Sequence, residues 1–134
     1  MTPVAGSFKF SRAQRLEGPH AYAAVFDFNC GVAGKMFRVY ARPNGAGAAR
    51  LGIVVSKRVI PQAVARNYCK RLAREVFRTE CEALAGVDLV VRPRIAVTPA
   101  SSGAARAEMR GLLRRARHEC FSRSAATQSR SDRT

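Results

Sequence analysis

The chain has 134 residues, 47% of them hydrophobic, and a formal net charge of +15 from 24 basic and 9 acidic side chains. That length suits one domain with a modest core, and the hydrophobic share excludes a wholly disordered chain. No apolar run approaches the ~18 residues of a membrane span, so the excess charge points to a polyanionic partner: nucleic acid first, anionic lipid or an acidic protein behind it.

Residues 1–10 read as a flexible N-terminal segment, without the charged-then-apolar pattern of a secretory signal. Gly18-Pro19 opens a helix that runs to about Phe28, with proline suited to the first helical position. Tyr22, Val25 and Phe26 share one of its faces. Such a stripe serves as core or as a docking wall, and the helix alone leaves both open.

Lys35 to Arg42 alternates with period two. Phe37, Val39 and Ala41 point one way; Met36, Arg38, Tyr40 and Arg42 point the other. An aromatic ring between two arginines suits single-stranded RNA, whose bases stack on rings while cations hold the phosphates. A plain solvent face fits the same pattern. Pro43 to Gly47 is a turn. Arg50 to Ser56 is a second strand, and Ile60-Pro61-Gln62 breaks the chain before a helix from about Gln62 to Leu84, ended by Gly86.

That helix is the most basic stretch. At about 100° per residue, Arg66, Asn67, Lys70, Arg71, Arg74 and Arg78 fall within one arc of roughly 140°. Tyr68, Cys69, Leu72, Ala73 and Val76 lie opposite, with Phe77 at the boundary. An ordinary solvated helix mixes its charges as i,i+4 pairs; between Arg66 and Arg78 only Glu75 is acidic, at the edge of the arc. From Phe28 to Arg74 the chain contains no Asp or Glu but ten Lys or Arg. A face so one-sided repels itself until a polyanion covers it.

Val87 to Val91 is a third strand, apolar enough to be central. A loop from Arg92 to Gly103 leads to a last amphipathic helix, Ala104 to Cys120. Ala105, Met109, Leu112, Leu113 and Ala116 form its apolar stripe, and Arg106, Arg110, Arg114 and Arg117 its exposed ridge. Residues 122–134 read as a disordered, basic, Ser-rich tail.

Protein-based catalysis needs a constellation that this chain does not supply. Cys30, Cys69, Cys81 and Cys120 show no CxxC spacing, which favours reduced thiols over zinc. His118-Glu119-Cys120 has no matching cluster elsewhere. There is no Gly-rich phosphate loop and no acidic pair at the spacing a two-metal nuclease requires. The chain reads as a binding module.

Val55-Ser56-Lys57-Arg58, followed by Ala65-Arg66-Asn67-Tyr68-Cys69-Lys70-Arg71-Leu72-Ala73-Arg74-Glu75-Val76-Phe77-Arg78, resembles the bacterial ribonuclease P protein component. That family carries Arg-Asn-Arg-x-x-Lys-Arg-x-x-Arg on the helix after a strand ending Ser/Ala-Lys-Lys/Arg. Arg15-Leu16, Tyr22 with Phe26, and Tyr40 also fall in the family's order, so the likeness covers about residues 8 to 121. Tyr68 departs from the pattern by standing where the second Arg of Arg-Asn-Arg belongs.

The resemblance implies a compact two-layer α/β sandwich: a small central sheet of about four strands, three main helices and a left-handed β-α-β crossover, against the usual hand. Residues 11–121 would be a single RNA-binding domain. The implied function is that of the protein subunit of ribonuclease P, an endoribonuclease that removes the 5′ leader of precursor tRNA. Catalysis and its Mg2+ would belong to the RNA subunit, with no metal site or catalytic residue on the protein. Arg58, Arg66, Asn67, Lys70, Arg71 and Arg74 would lie against the RNA subunit. Tyr22, Phe26, Arg38, Tyr40 and Lys57 would line a cleft for the leader. The implied partners are the catalytic RNA and precursor tRNA, with no membrane, no small-molecule cofactor and a cytoplasmic location. A ribosomal or other structured-RNA-binding protein without a catalytic partner is the alternative that composition alone leaves open.

Overall fold

A computed structural model of the chain describes residues 12–45 and 47–133, with side chains for residues 13–45 and 47–125. The N-terminal segment 1–10 lies outside the described residues. Helix α1 (Pro19–Phe28) starts on its proline and stops at Asn29, whose left-handed φ of 56° lets its N–H close onto Phe26 O. Strands β1 (Gly31–Ala33) and β2 (Phe37–Pro43) form a hairpin, and β3 (Arg50–Ile53) follows the turn. Helix α2 (Ala63–Glu80), strand β4 (Val87–Pro93) and helix α3 (Ser102–Arg133) complete the chain.

The sheet has the order β1-β2-β4-β3, antiparallel except for the β3–β4 pair. β3 and β4 are therefore parallel neighbours joined through α2, the crossover unit the fold requires. Leu16 N donates to Leu51 O at 2.9 Å, so the segment before α1 covers the β3 edge.

Period-two alternation divides the sheet into two faces. Phe37, Val39, Ala41, Leu51, Leu89 and Val91 are buried in the main core with Leu72, Val76 and Phe77 of α2 and Met109, Leu113 and Ala116 of α3. On the opposite face Val25 of α1 meets Leu16 and Val90, flanked by Tyr22, Phe26, Tyr40 and Val54. Two helices fill one face while one short helix covers part of the other, which leaves a groove beside α1.

Several boundaries differ from the sequence reading. β1 carries too few residues to show a period. Met36 is buried, not on the solvent face with Arg38 and Tyr40, because it precedes β2 in the hairpin turn. There Glu108 Oε2 accepts from Met36 N at 2.7 Å and Phe37 N at 2.9 Å, and Oε1 accepts from Lys35 N at 3.1 Å. β4 extends two residues past Val91, and α2 gives way to turns after Glu80. The exposed ridge expected on α3 is partly spent: Arg106 pairs with Glu75, Arg114 with Glu80, and Arg117 Nε donates to Ala85 O.

The backbone of α3 continues to Arg133, where the sequence suggested a disordered tail from 122. Neither Gly nor Pro follows Gly111, so nothing in the chain interrupts the helix. Arg123 is held in place: its Nη1 donates to Phe28 O at 2.9 Å and Asn29 O at 2.7 Å. A cation on the last carbonyls of α1 complements the helix dipole.

Candidate nucleic-acid interface

The groove is built on two aromatic stations. At the first, Phe26 and Tyr40 meet edge to face, with ring centroids 5.0 Å apart and an interplanar angle of 76°. Offset geometry of this kind adds about 0.5–1.5 kcal/mol beyond burial, so the two rings form one joint platform. Tyr40 leans over Gly31, where a Cβ would sit 3.0 Å from the ring. At the second station Tyr22 packs closely against β3, and a Cβ on Gly52 would come within 2.5 Å of Tyr22 Cε1. Glycine at 52 is what allows the ring to rest on strand backbone. Gly52→Ala is accordingly expected to push Tyr22 off β3 and to cost about 1–3 kcal/mol by overpacking. Ring-proton chemical shifts of Tyr22 and a denaturation curve check this; unmoved Tyr22 resonances would refute the packing.

Charge on this sheet face is polarised along the strands. At one end Asp88 is buried and lies opposite both Arg42 and Arg50. Its carboxylate accepts from Arg50 Nε and Nη2, each at 2.8 Å, and from Asn44 Nδ2 at 2.9 Å. Hydrogen bonding to Asp88 raises the Arg50 guanidinium above its ordinary value against the opposing effect of burial. At the other end Arg38 lies directly opposite Arg92. Like charges in register destabilise a sheet, and among the described residues neither arginine has an acidic partner. Arg38 Nη1 reaches Tyr40 OH at 3.5 Å, and Arg92 Cζ stands 5.8 Å from the Phe26 ring centroid. The two guanidinia therefore flank the Phe26–Tyr40 platform. Arg94 and Pro93 join Arg38, Tyr40 and Arg92 around a depression of about 230 Å³.

The Tyr22 station opens onto a depression of about 290 Å³ floored by Leu51 and Ile53 and edged by Arg15, Glu17, Lys70 and Arg74. The sequence reading assigned Lys70 and Arg74 to one surface and Tyr22 to another; the fold makes them neighbours, so the basic helix and the groove form a continuous basic surface. Asn67, Arg71 and Arg74 are exposed on α2, and Lys70 is half-buried. Arg66 is bent onto the preceding loop, its Nη1 donating to Ile60 O at 3.0 Å and Pro61 O at 2.7 Å. Tyr68 packs at the margin of the main core. Lys57 and Arg58 are exposed on the turn after β3, outside these depressions.

Arg92, Arg94, Arg123 and Gly52 were not singled out from the sequence. Arg92 was within reach, because extending the third strand by two residues puts it on the same face as Val90. Arg94 and Arg123 arrive from distant positions and carry no local signal.

Among the described residues, no group of three or more His, Cys, Asp or Glu comes together that could hold a metal ion. The donor chemistry agrees, since Asp88, Glu80, Glu75 and Glu108 are already bonded to arginines or backbone amides. These residues do not fit a Mg2+ site on the protein. Two of the thiols do not fit a nucleophile either: burial pushes Cys69 up to about 11 and Cys120 up to about 12. No described helix is long and apolar enough to cross a membrane.

Comparison with known proteins gives the fold a family. The family described as Ribonuclease P matches residues 10–117. A ribonuclease P protein component from Chromobacterium violaceum is 45% identical over 92 residues, 69% of this chain and 76% of that one. One from Azoarcus sp. is 37% identical over 113 residues, 84% of this chain and 94% of that one. Among solved structures, the ribonuclease P protein of Thermotoga maritima in complex with 1-(4-fluorophenyl)-2-thiourea aligns with a TM-score of 0.64 at 30% identity, covering 75% of this chain and 98% of that one. The Staphylococcus aureus protein aligns with a TM-score of 0.60 at 28% identity, over 78% and 93%. With a match over most of its length and the same fold, the chain belongs to the ribonuclease P protein component family, whose work is tRNA processing.

Proposed function

We propose that this protein acts as the non-catalytic subunit of ribonuclease P, binding the catalytic RNA with α2 and the single-stranded 5′ leader of precursor tRNA in the groove beside α1. The observation that carries the reading is the Phe26–Tyr40 platform flanked by Arg38 and Arg92 on an open sheet face. Stacking on rings holds any base, at about 1–3 kcal/mol each, which suits leaders of differing sequence. The arginines supply phosphate contacts, and the Arg38–Arg92 repulsion is relieved when an anion lies between them.

The exposed arc of Asn67, Arg71 and Arg74, with Lys70 on its shoulder and Arg58 at its approach, is assigned to the RNA subunit. Arg66 contributes by holding the loop that leads into α2. The hydrolytic chemistry and its Mg2+ are assigned to the RNA subunit, in keeping with the commitment of Glu75, Glu80, Asp88 and Glu108 to arginines or backbone amides. A chain of charge +15 between two polyanions lowers their mutual repulsion, and with it the demand for magnesium. A cytoplasmic location follows from tRNA maturation in bacteria and belongs to the same proposal.

The test is a holoenzyme reconstituted with the RNA subunit at low magnesium. Tyr40→Ala is expected to weaken binding of precursor tRNA by about 5- to 100-fold, the equivalent of one lost stack, while affinity for mature tRNA stays within about twofold. Equal losses for both substrates would refute the cleft assignment.

A further inference from the structure

The family match ends at residue 117, yet the residues just beyond it reach the groove. Arg123 shares a depression of about 230 Å³ with Arg38 and Tyr40, alongside Asn29, Gly31 and Ala33. That depression lies on the β1 side of Tyr40, away from the Tyr22 station. It adjoins the Arg92 depression, since Arg38 and Tyr40 line both. Arg123 Nη1 holds the carbonyls of Phe28 and Asn29, and its Cζ stands 5.8 Å from the Phe28 ring centroid. The side chain is nevertheless exposed, so its remaining N–H groups face solvent at the rim. Glu119 lies one turn back on the same helix, and no hydrogen bond or ion pair joins it to Arg123.

We propose that α3 beyond residue 117 forms a third wall of the groove, where Arg123 positions the end of α1 and offers a cation to single-stranded RNA leaving Tyr40 over the β1 edge. The geometry gives each part a reason. An arginine that only capped α1 could do so from the far side of the helix end, whereas this one caps from within the groove's own rim. A track running from Arg92 past Arg38 and Tyr40 to Arg123 presents three guanidinia beside one platform, a combination of cations and ring suited to single-stranded RNA. The ligand class is therefore RNA phosphate upstream or downstream of the stacked base. This inference rests on the groove being the leader site.

The experiment compares the full chain with Arg123→Gln and Arg123→Lys, each in holoenzyme, on precursor tRNAs with a short leader and with a long one. Arg123→Gln is expected to weaken the long-leader substrate by about three- to tenfold and to lower the slope of log affinity against log salt by about 0.7, one single-strand phosphate contact. The short-leader substrate should be unaffected, and Arg123→Lys should retain both affinity and slope. Equal losses on both leaders, or a lowered melting temperature with an unchanged salt slope, would reduce Arg123 to a helix cap and overturn the proposal. If Tyr40→Ala fails to separate precursor from mature tRNA, the groove reading itself fails; if it succeeds while Arg123→Gln ignores leader length, only the third wall falls.

Discussion

Arg50→Met is expected to destabilise the protein by about 3 kcal/mol, the low end of the range for breaking a buried ion pair. The loss arises on the side of the partner. Asp88 is 1% exposed, and Arg50 provides two of the three hydrogen bonds to its carboxylate. Without the guanidinium, a buried carboxylate keeps only the Asn44 amide. The low end applies because the Arg50 side chain is 39% exposed, so water reaches the site. For a domain of this size the effect corresponds to a drop in melting temperature of roughly 10–20 °C. Pairing it with Asp88→Leu should restore much of the loss, since no charge then remains to be desolvated. A double-mutant cycle by chemical denaturation measures the coupling, and additive losses would sink the account. The prediction matters for function because this network ties the turn after β2 to the sheet end where charge is neutralised. It leaves the uncompensated arginines at the other end.

Neutralising Lys70, Arg71 and Arg74 together to glutamine should weaken binding of the RNA subunit by on the order of 100-fold near physiological salt. The slope of log affinity against log salt should fall by about 2–3, close to 0.9 for each phosphate contact removed. Arg66 is left out because its Nη1 holds the Ile60 and Pro61 carbonyls, so changing it would also loosen the start of α2. The single variants then separate two roles. Arg71 lies furthest round the helix from the groove and should affect the RNA subunit alone. Arg74 shares the Tyr22 depression and should also weaken leader-bearing substrate. Filter binding across a salt series, with precursor and mature tRNA in parallel, reads both. An unchanged salt slope in the triple variant would mean that α2 does not face the catalytic RNA.

Much of this surface is legible along the chain. The alternation from Phe37 to Arg42 puts Arg38 and Tyr40 on one face whatever the strand's neighbours are. Pro19 starts α1, and the 3.6-residue period puts Tyr22, Val25 and Phe26 together. The basic arc of α2 follows in the same way, although a wheel does not show that Phe77, at its boundary, is fully buried or that Arg66 bonds the preceding loop. The resemblance of residues 65–78 to one family supplied the functional frame.

Sequence alone thus determined the three helices and three of the four strands, the side of an element that most of their residues occupy, and the net positive charge, because these depend on backbone periodicity and composition within a few residues. Tertiary structure decided which faces meet. Arg38 stands opposite Arg92, 54 residues later in the chain, and Asp88 finds Arg50 because β3 and β4 become parallel neighbours through α2. Lys70 comes to edge the hollow beside Tyr22, and Arg123 closes on the end of α1 from a helix that begins at Ser102. Those pairings arise from burying one sheet face under two helices, a whole-domain balance of apolar area that no local pattern encodes.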